Sequence, residues 1–221
     1  MSDVANLSSN DFRCPLCGSK DHQSEVAGQD EREYVKCGNC WMIYVTPEHH
    51  ISPEEEKSRY MTHQNGIEYL GYVKFLNRAV KPALKYLKDG WRGLDFGCGH
   101  VPTLNILLER EGFTCDYYDL FFFPEIPAQN YDFIFATEVI EHFFDPGKEI
   151  NQITNLLNSG GLLIIMTLLW KTESDLISHF YFRDTTHFVF YHEKTIRFLC
   201  KKYGLEILET DSERVVILRK K

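Results

Sequence analysis

The segment Leu94-Asp95-Phe96-Gly97-Cys98-Gly99-His100 decides how this chain is read. A short apolar run, residues 93–96, leads into it as a strand, and residues 103–111 follow it with a helical pattern. Glycines at 97 and 99 let the backbone turn tightly and come close to a ligand. A dinucleotide fingerprint would place a third glycine at position 102, which is Pro102. A phosphate loop would need Gly-Lys-Ser/Thr, which is absent. Asp95, just before the first glycine, disfavours a pyrophosphate and favours a cofactor carrying an ammonium and a sulfonium. Asp119 ends the next strand, where a carboxylate can accept both ribose hydroxyls.

Working outward, strands alternate with helices. Residues 113–120 and 131–137 read as strands, with a helix from there through Leu157 that Gly160-Gly161 closes. Residues 162–168 form the next strand. Residues 192–203 form a helix capped by Gly204, and 205–210 and 214–219 are two final strands joined at Asp211-Ser212. This alternation predicts a parallel α/β sheet with helices on both faces. Upstream, Tyr69, Tyr72, Val73, Leu76, Val80, Leu84 and Leu87 recur at helical spacing across 58–88, and Pro82 is read as starting a new helix. The domain reading is a tail at 1–10, a cysteine module at 11–47, a turn-rich linker at 48–57, and a main domain at 58–221. That domain divides into N-terminal helices, 58–90, and an α/β core, 91–221. His49-His50 are read as solvated linker.

Four of the seven cysteines form the pattern C-x2-C-x19-C-x2-C: Cys14, Cys17, Cys37 and Cys40. Two such turns present four thiolates to one tetrahedral zinc. His22 is a less suitable ligand beside a full cysteine set. Four protein ligands close the site, so the zinc is expected to be structural and to supply much of the module's folding energy. Cys98, Cys115 and Cys200 are scattered, which argues against a disulfide framework.

The 221 residues carry a formal net charge of −8, with 43% hydrophobic and 25% charged residues. Within 11–47, four basic residues (Arg13, Lys20, Arg32, Lys36) face six acidic ones. This balance argues against bulk nucleic acid and anionic membranes. The longest apolar run, 161–170, is too short to span a bilayer and reads as a buried strand. The first ten residues lack a signal-peptide pattern, so a cytoplasmic location is expected.

Several motifs occur in a familiar order. "LDFGCGHVPTL" resembles the first motif of the class I S-adenosylmethionine-dependent methyltransferases, and "CDYYD" their ribose-binding strand end. "YDFIFATEVIEHFFDP" is similar to the fourth motif of the EH-containing branch. "LLNSGGLLIIMT" and "HFVFYHEKTIRFLCKKYGLEIL" resemble the segments that follow. The resemblance covers about residues 58–221; Val101 departs from the usual glycine. It implies a Rossmann-like sheet and S-adenosylmethionine as cofactor. The implied cofactor contacts are Asp95, Gly97, Cys98, Gly99, Asp119, Leu120, Phe121, Thr137 and Glu138.

Methyl transfer needs acceptor, methyl and sulfur held in line, with a base where the acceptor loses a proton. The resemblance puts Glu138, Glu141 and His142 near the reacting methyl, with Glu138 and His142 four apart on one helix face. His187, in Arg183-Asp184-Thr185-Thr186-His187, is expected in a loop over the strand ends. The catalytic candidates are therefore His187, His142 and Glu141. Bland readings compete: carboxylates starting a helix, or a packed, hydrogen-bonded histidine. Phe188, Phe190 and Tyr191 read as core.

One piece of the usual fold is missing. Only eleven residues, 120–130, separate Asp119 from Tyr131, too few for a helical crossover and a strand. The sheet is expected to be contracted around its third strand. Phe121, Phe122 and Phe123 then either cover the adenine, with Pro124 and Pro127 stiffening the return, or plug the new sheet edge. Acidic charge favours a small-molecule acceptor. The rivals are an RNA methyltransferase that uses the ribbon as a clamp and a non-enzymatic cofactor-binding scaffold.

Overall fold

The computed structural model describes residues 13–26, 28, 30–126 and 129–221. The tail at 1–10 and Pro127 lie outside the described residues. The central sheet is built from β4 (Arg92–Phe96), β5 (Thr114–Tyr118), β6 (Tyr131–Thr137), β7 (Leu157–Met166), β10 (Leu205–Thr210) and β11 (Val215–Lys220). Their order is β10-β11-β7-β6-β4-β5. Strands β7, β6, β4 and β5 run parallel, and β11 is antiparallel to both of its neighbours. Among the described residues the sheet ends at β5, so the expected contraction is real: no strand lies beyond the ribose-side edge.

The strands alternate their side chains between two apolar layers. Phe133 and Phe135 of β6 and Ile164 of β7 face one side, where they meet Leu76, Ala79, Val80 and Ala83 of α2 (Leu70–Leu84). Leu104, Leu107 and Leu108 of α3 (Leu104–Arg110) join that layer. Ile134, Ala136 and Ile165 face the other side, against Ile150 and Ile153 of α4 (Pro146–Leu156) and Ile196 and Leu199 of α6 (Glu193–Tyr203). This period of two on strands and three to four on helices is the physical basis of the layered α/β core.

The cysteine module is not a separate bead. Its strands β1 (His22–Val26), β2 (Tyr34–Cys37) and β3 (Ile43–Val45) join β9 (Val189–His192) and β8 (Leu169–Trp170) in a second sheet, ordered β1-β2-β3-β9-β8. Gly147 N–H of α4 donates to Pro15 O at 3.2 Å, and Lys202 Nζ of α6 donates to Leu16 O at 2.7 Å. A short helix α5 (Glu173–Ser178) lies between β8 and β9.

Several local expectations change. Helix α1 (Pro53–Tyr60) begins inside the stretch read as linker, and Ser52 and Glu55 close a capping box at its start. His50 is not solvated linker: it packs on the rings of Phe144 and Phe188 and its Nε2 donates to Val45 O at 3.0 Å. Pro82 starts no new helix; it lies inside α2, in the turn that ends it. Gly160-Gly161 lies within β7, where the pairing with β6 skips from Leu157 to Leu162. The helix predicted after β6 is a short 3₁₀ turn, Ile140–His142, then α4. No helix among the described residues is long and apolar enough to cross a membrane.

Candidate functional site

A cleft of about 620 Å³ opens at the C-terminal ends of β4, β5 and β6. That is the end of an open parallel sheet where ligands bind, and the volume is that of a small-molecule site. The loop after β4 forms one wall. Gly97 has φ +84°, and a Cβ there would lie 2.2 Å from Val139 Cγ2, so only glycine fits. Gly97 and Cys98 N–H both donate to Tyr118 O, at 2.8 and 3.0 Å, which ties this loop to β5. Asp119 follows β5 and is 8% exposed. Its Oδ2 accepts from Gly99 N–H at 2.9 Å, and its Oδ1 accepts from Phe121 and Phe122 N–H at 2.9 and 3.2 Å. These donors hold the carboxylate still at the cleft wall.

The far end is lined by His142, on the 3₁₀ turn after β6, and His187, just before β9. His142 Nδ1 donates to Thr186 O and His187 Nδ1 donates to Tyr181 O, both at 2.8 Å. A carbonyl only accepts, so Nδ1 carries the proton in each ring and Nε2 keeps its lone pair. The rings lie 4.7 Å apart at 72°. Burial lowers His142 to about 4 and His187 to about 3, so both are neutral at pH 7. Behind them Glu141 is 0% exposed. Its Oε1 accepts from Tyr181 OH at 2.7 Å, and burial followed by the charge of Glu138 raises it to about 8.

Sequence reading placed these groups only in part. Gly97, Cys98, Gly99, Asp119, Leu120, Phe121, Thr137, Glu138, His142 and His187 all line the cleft. Asp95 and Glu141 do not. Asp95 is 2% exposed beneath the glycine loop, where burial and then the Asp119 charge raise it to about 7, so it is no surface lure for a cation. Glu138 shares no helix face with His142. It follows β6 with φ 51°, and both its oxygens accept from Arg214 Nη1, at 2.8 and 3.0 Å. Phe122 packs by His100 and Phe123 by Tyr117, while Phe121 meets Tyr60 at the cleft. Phe188, Phe190 and Tyr191 are fully buried, as read.

The sequence reading missed the roof. Tyr60 of α1 crosses His142 edge-on at 5.2 Å and donates its hydroxyl to Glu56 Oε1 at 2.5 Å. Burial raises Glu56 and Glu149 to about 7. The glutamate run 54–56 hid Glu56 among solvated charges; the capping box was the available signal. Arg214 lies 76 residues from Glu138, so no local pattern revealed it.

The four cysteines converge. Cys14 and Cys40 Sγ lie 3.5 Å apart, as do Cys17 and Cys37 Sγ, and all four fall within 4.8 Å of one another. Thiolates on one tetrahedral zinc, with bonds of about 2.3 Å, sit about 3.8 Å apart, so the cluster fits that ion. Cys14, Cys37 and Cys40 are buried, and none of the four cysteines lines the cleft.

Comparison with known proteins agrees with this geometry. A family model described as a methyltransferase domain matches residues 67–210, well over half of the chain. No curated protein sequence matches the chain. A solved S-adenosylmethionine-dependent methyltransferase from Archaeoglobus fulgidus is 16% identical, with a TM-score of 0.50 over 67% of this chain and 94% of that one. A structure of the Haloferax volcanii Trm112 methyltransferase activator with its methyltransferase gives 12% identity and a TM-score of 0.52, over 75% of this chain and 97% of that one. At such identities these likenesses show the fold. On the family match, which spans most of the cleft, the chain belongs to the methyltransferase-domain family and has the class I, S-adenosylmethionine-dependent methyltransferase fold.

Proposed function

We propose that this chain transfers the methyl group of S-adenosylmethionine to a small-molecule acceptor held at the histidine end of the cleft. The observation that carries this reading is one cleft with two chemically distinct ends. A glycine loop and a fixed carboxylate, Asp119, form one; two neutral imidazoles, His142 and His187, form the other. When bound, S-adenosylmethionine supplies a methyl on a sulfonium, which an acceptor lone pair displaces to leave neutral S-adenosylhomocysteine. Asp119 accepts from the ribose hydroxyls. Gly97, Cys98 and Gly99 let the cofactor lie against backbone, and Leu120 and Phe121 shelter the adenine at the contracted sheet edge. Thr137 and Glu138 border the methionine end. Nε2 of His187 or His142 takes a proton where the acceptor loses one, and Tyr60 excludes water above them.

The lining favours a metabolite over RNA. Asp119 and Asp145 outnumber its one lysine, Lys148, and Glu138 offsets Arg214, so the wall offers a polyanion no net positive charge. The cysteine cluster is assigned one structural zinc, with residues 11–47 as its unit and the methyltransferase unit following. Calorimetry tests the reading. Wild type should bind S-adenosylmethionine at one site, and Asp119→Ala should weaken it by about 1–3 kcal/mol, the scale of lost charged hydrogen bonds. Equal affinity for both proteins would place the ribose elsewhere; absence of binding would end the proposal.

A further inference from the structure

The Glu141, His142 and His187 cluster has a composition that proton transfer alone does not use. One carboxylate oxygen of Glu141 and one ring nitrogen of each histidine lie within 4.8 Å of one another. Ligands sharing one ion with bonds near 2.1 Å sit about 3–3.5 Å apart, so side-chain adjustments of about 1 Å close the set. Three further features point the same way. Glu141 Oε2 is fully buried and has no hydrogen-bond partner, although Oε1 is engaged by Tyr181 OH. A buried carboxyl oxygen without a partner is a costly arrangement, and a cation that displaces the carboxyl proton resolves it. Both imidazoles are anchored through Nδ1 to backbone carbonyls, the outer-shell arrangement that orients metal-binding histidines and leaves Nε2 for the ion. Finally, Arg214, whose guanidinium lies 5.5 Å from the Tyr181 ring, is already paired with Glu138. Arg214 is therefore committed elsewhere and does not pair with Glu141.

We propose that Glu141, His142 and His187 form a second metal site, separate from the four cysteines, that holds one divalent transition-metal ion at the acceptor end of the cleft. Two imidazoles and one carboxylate suit iron(II), cobalt(II), manganese(II) or zinc, and leave coordination positions open. His142 and His187 line the cleft while Glu141 stands behind them, so the open positions face the space assigned to the acceptor. They take oxygen donors of the acceptor, which makes a hydroxyl-bearing substrate the chemical class that fits; with both Nε2 atoms ligating, the ion would acidify that hydroxyl in place of a histidine base. The ion-binding claim stands without the methyl-transfer reading, because its test measures no activity; the acceptor class rests on that reading.

The test adds cobalt(II) to full-length protein whose cysteine cluster is already filled with zinc. One equivalent of cobalt should bind with weak visible bands and without thiolate charge-transfer absorption. Glu141→Gln and His187→Gln should each lower its affinity by at least about ten-fold. Should a variant fail to fold, proton NMR of wild type with cobalt decides: two hyperfine-shifted exchangeable signals are expected from the Nδ1–H groups of His142 and His187. Absence of a saturable second equivalent, binding that both variants retain, or a cobalt complex without those two signals would each overturn the proposal.

Discussion

Removing the Arg32 side chain should loosen the acceptor side of the cleft while sparing the cofactor side. Arg32 belongs to the cysteine module, yet its guanidinium donates to three carbonyls of the segment that carries His187. These are Phe182 O, Asp184 O at 3.3 Å and His187 O at 3.2 Å. Its Nε also pairs with Asp30 at 2.8 Å, and the side chain is 9% exposed. Charge-assisted bonds contribute about 1.5–3 kcal/mol each when lost without replacement, but two of these are long and water can refill part of the space. The half-open Asp30 pair adds less than about 1 kcal/mol. Arg32→Ala should therefore cost about 2–4 kcal/mol. At roughly 2–4 °C per kcal/mol for a chain of this size, the melting midpoint should fall by about 4–16 °C. Asp119 and the Gly97–Gly99 loop make none of these contacts, so affinity for S-adenosylhomocysteine at 20 °C should stay within about two-fold. Scanning fluorimetry and calorimetry read the two effects, and amide exchange should rise in residues 179–192. A variant that melts within 1 °C of wild type, or one that loses cofactor affinity as strongly as stability, would refute this account of how the module supports the site.

Gly97→Ala should reduce S-adenosylhomocysteine binding more than ten-fold by calorimetry, because the left-handed φ and the 2.2 Å approach to Val139 force the loop to move. Asp95→Asn should change the pH profile of stability. The folded pKa of Asp95 is raised to about 7 from 3.8, so its favourable contribution is complete below pH 3.8 and is lost as pH rises through about 7. The substitution should flatten that decline, by at most about 1.4 kcal/mol per pH unit, in urea midpoints compared at pH 5 and 8. Removing zinc with a chelator should cost tertiary signal around Trp41 and Trp170, whose rings stack 6.2 Å apart across the second sheet; unchanged near-ultraviolet dichroism would count against a folding role for the metal.

Much of the fold was legible because covalent spacing leaves few choices. Eleven residues cannot hold a crossover helix and strand, and the sheet accordingly stops at β5. The cysteine spacing likewise brought four sulfurs together. Errors arose where tertiary partners decide. Glu56 was hidden in a glutamate run because nothing local says that Tyr60 and the cleft will bury it. Glu138 was assigned to a helix that Arg214, far along the chain, and a left-handed backbone turn replace. The joining of β3 to β9 had no sequence signature, since a three-residue strand does not name its partner.

A crystal structure of the full chain with S-adenosylhomocysteine tests the central claim most directly. The ribose hydroxyls should lie on the Asp119 carboxylate, the backbone of Gly97–Gly99 against the cofactor, and the sulfur toward His142 and His187. A ribose bound away from Asp119, or a sulfur turned from both histidines, would contradict it.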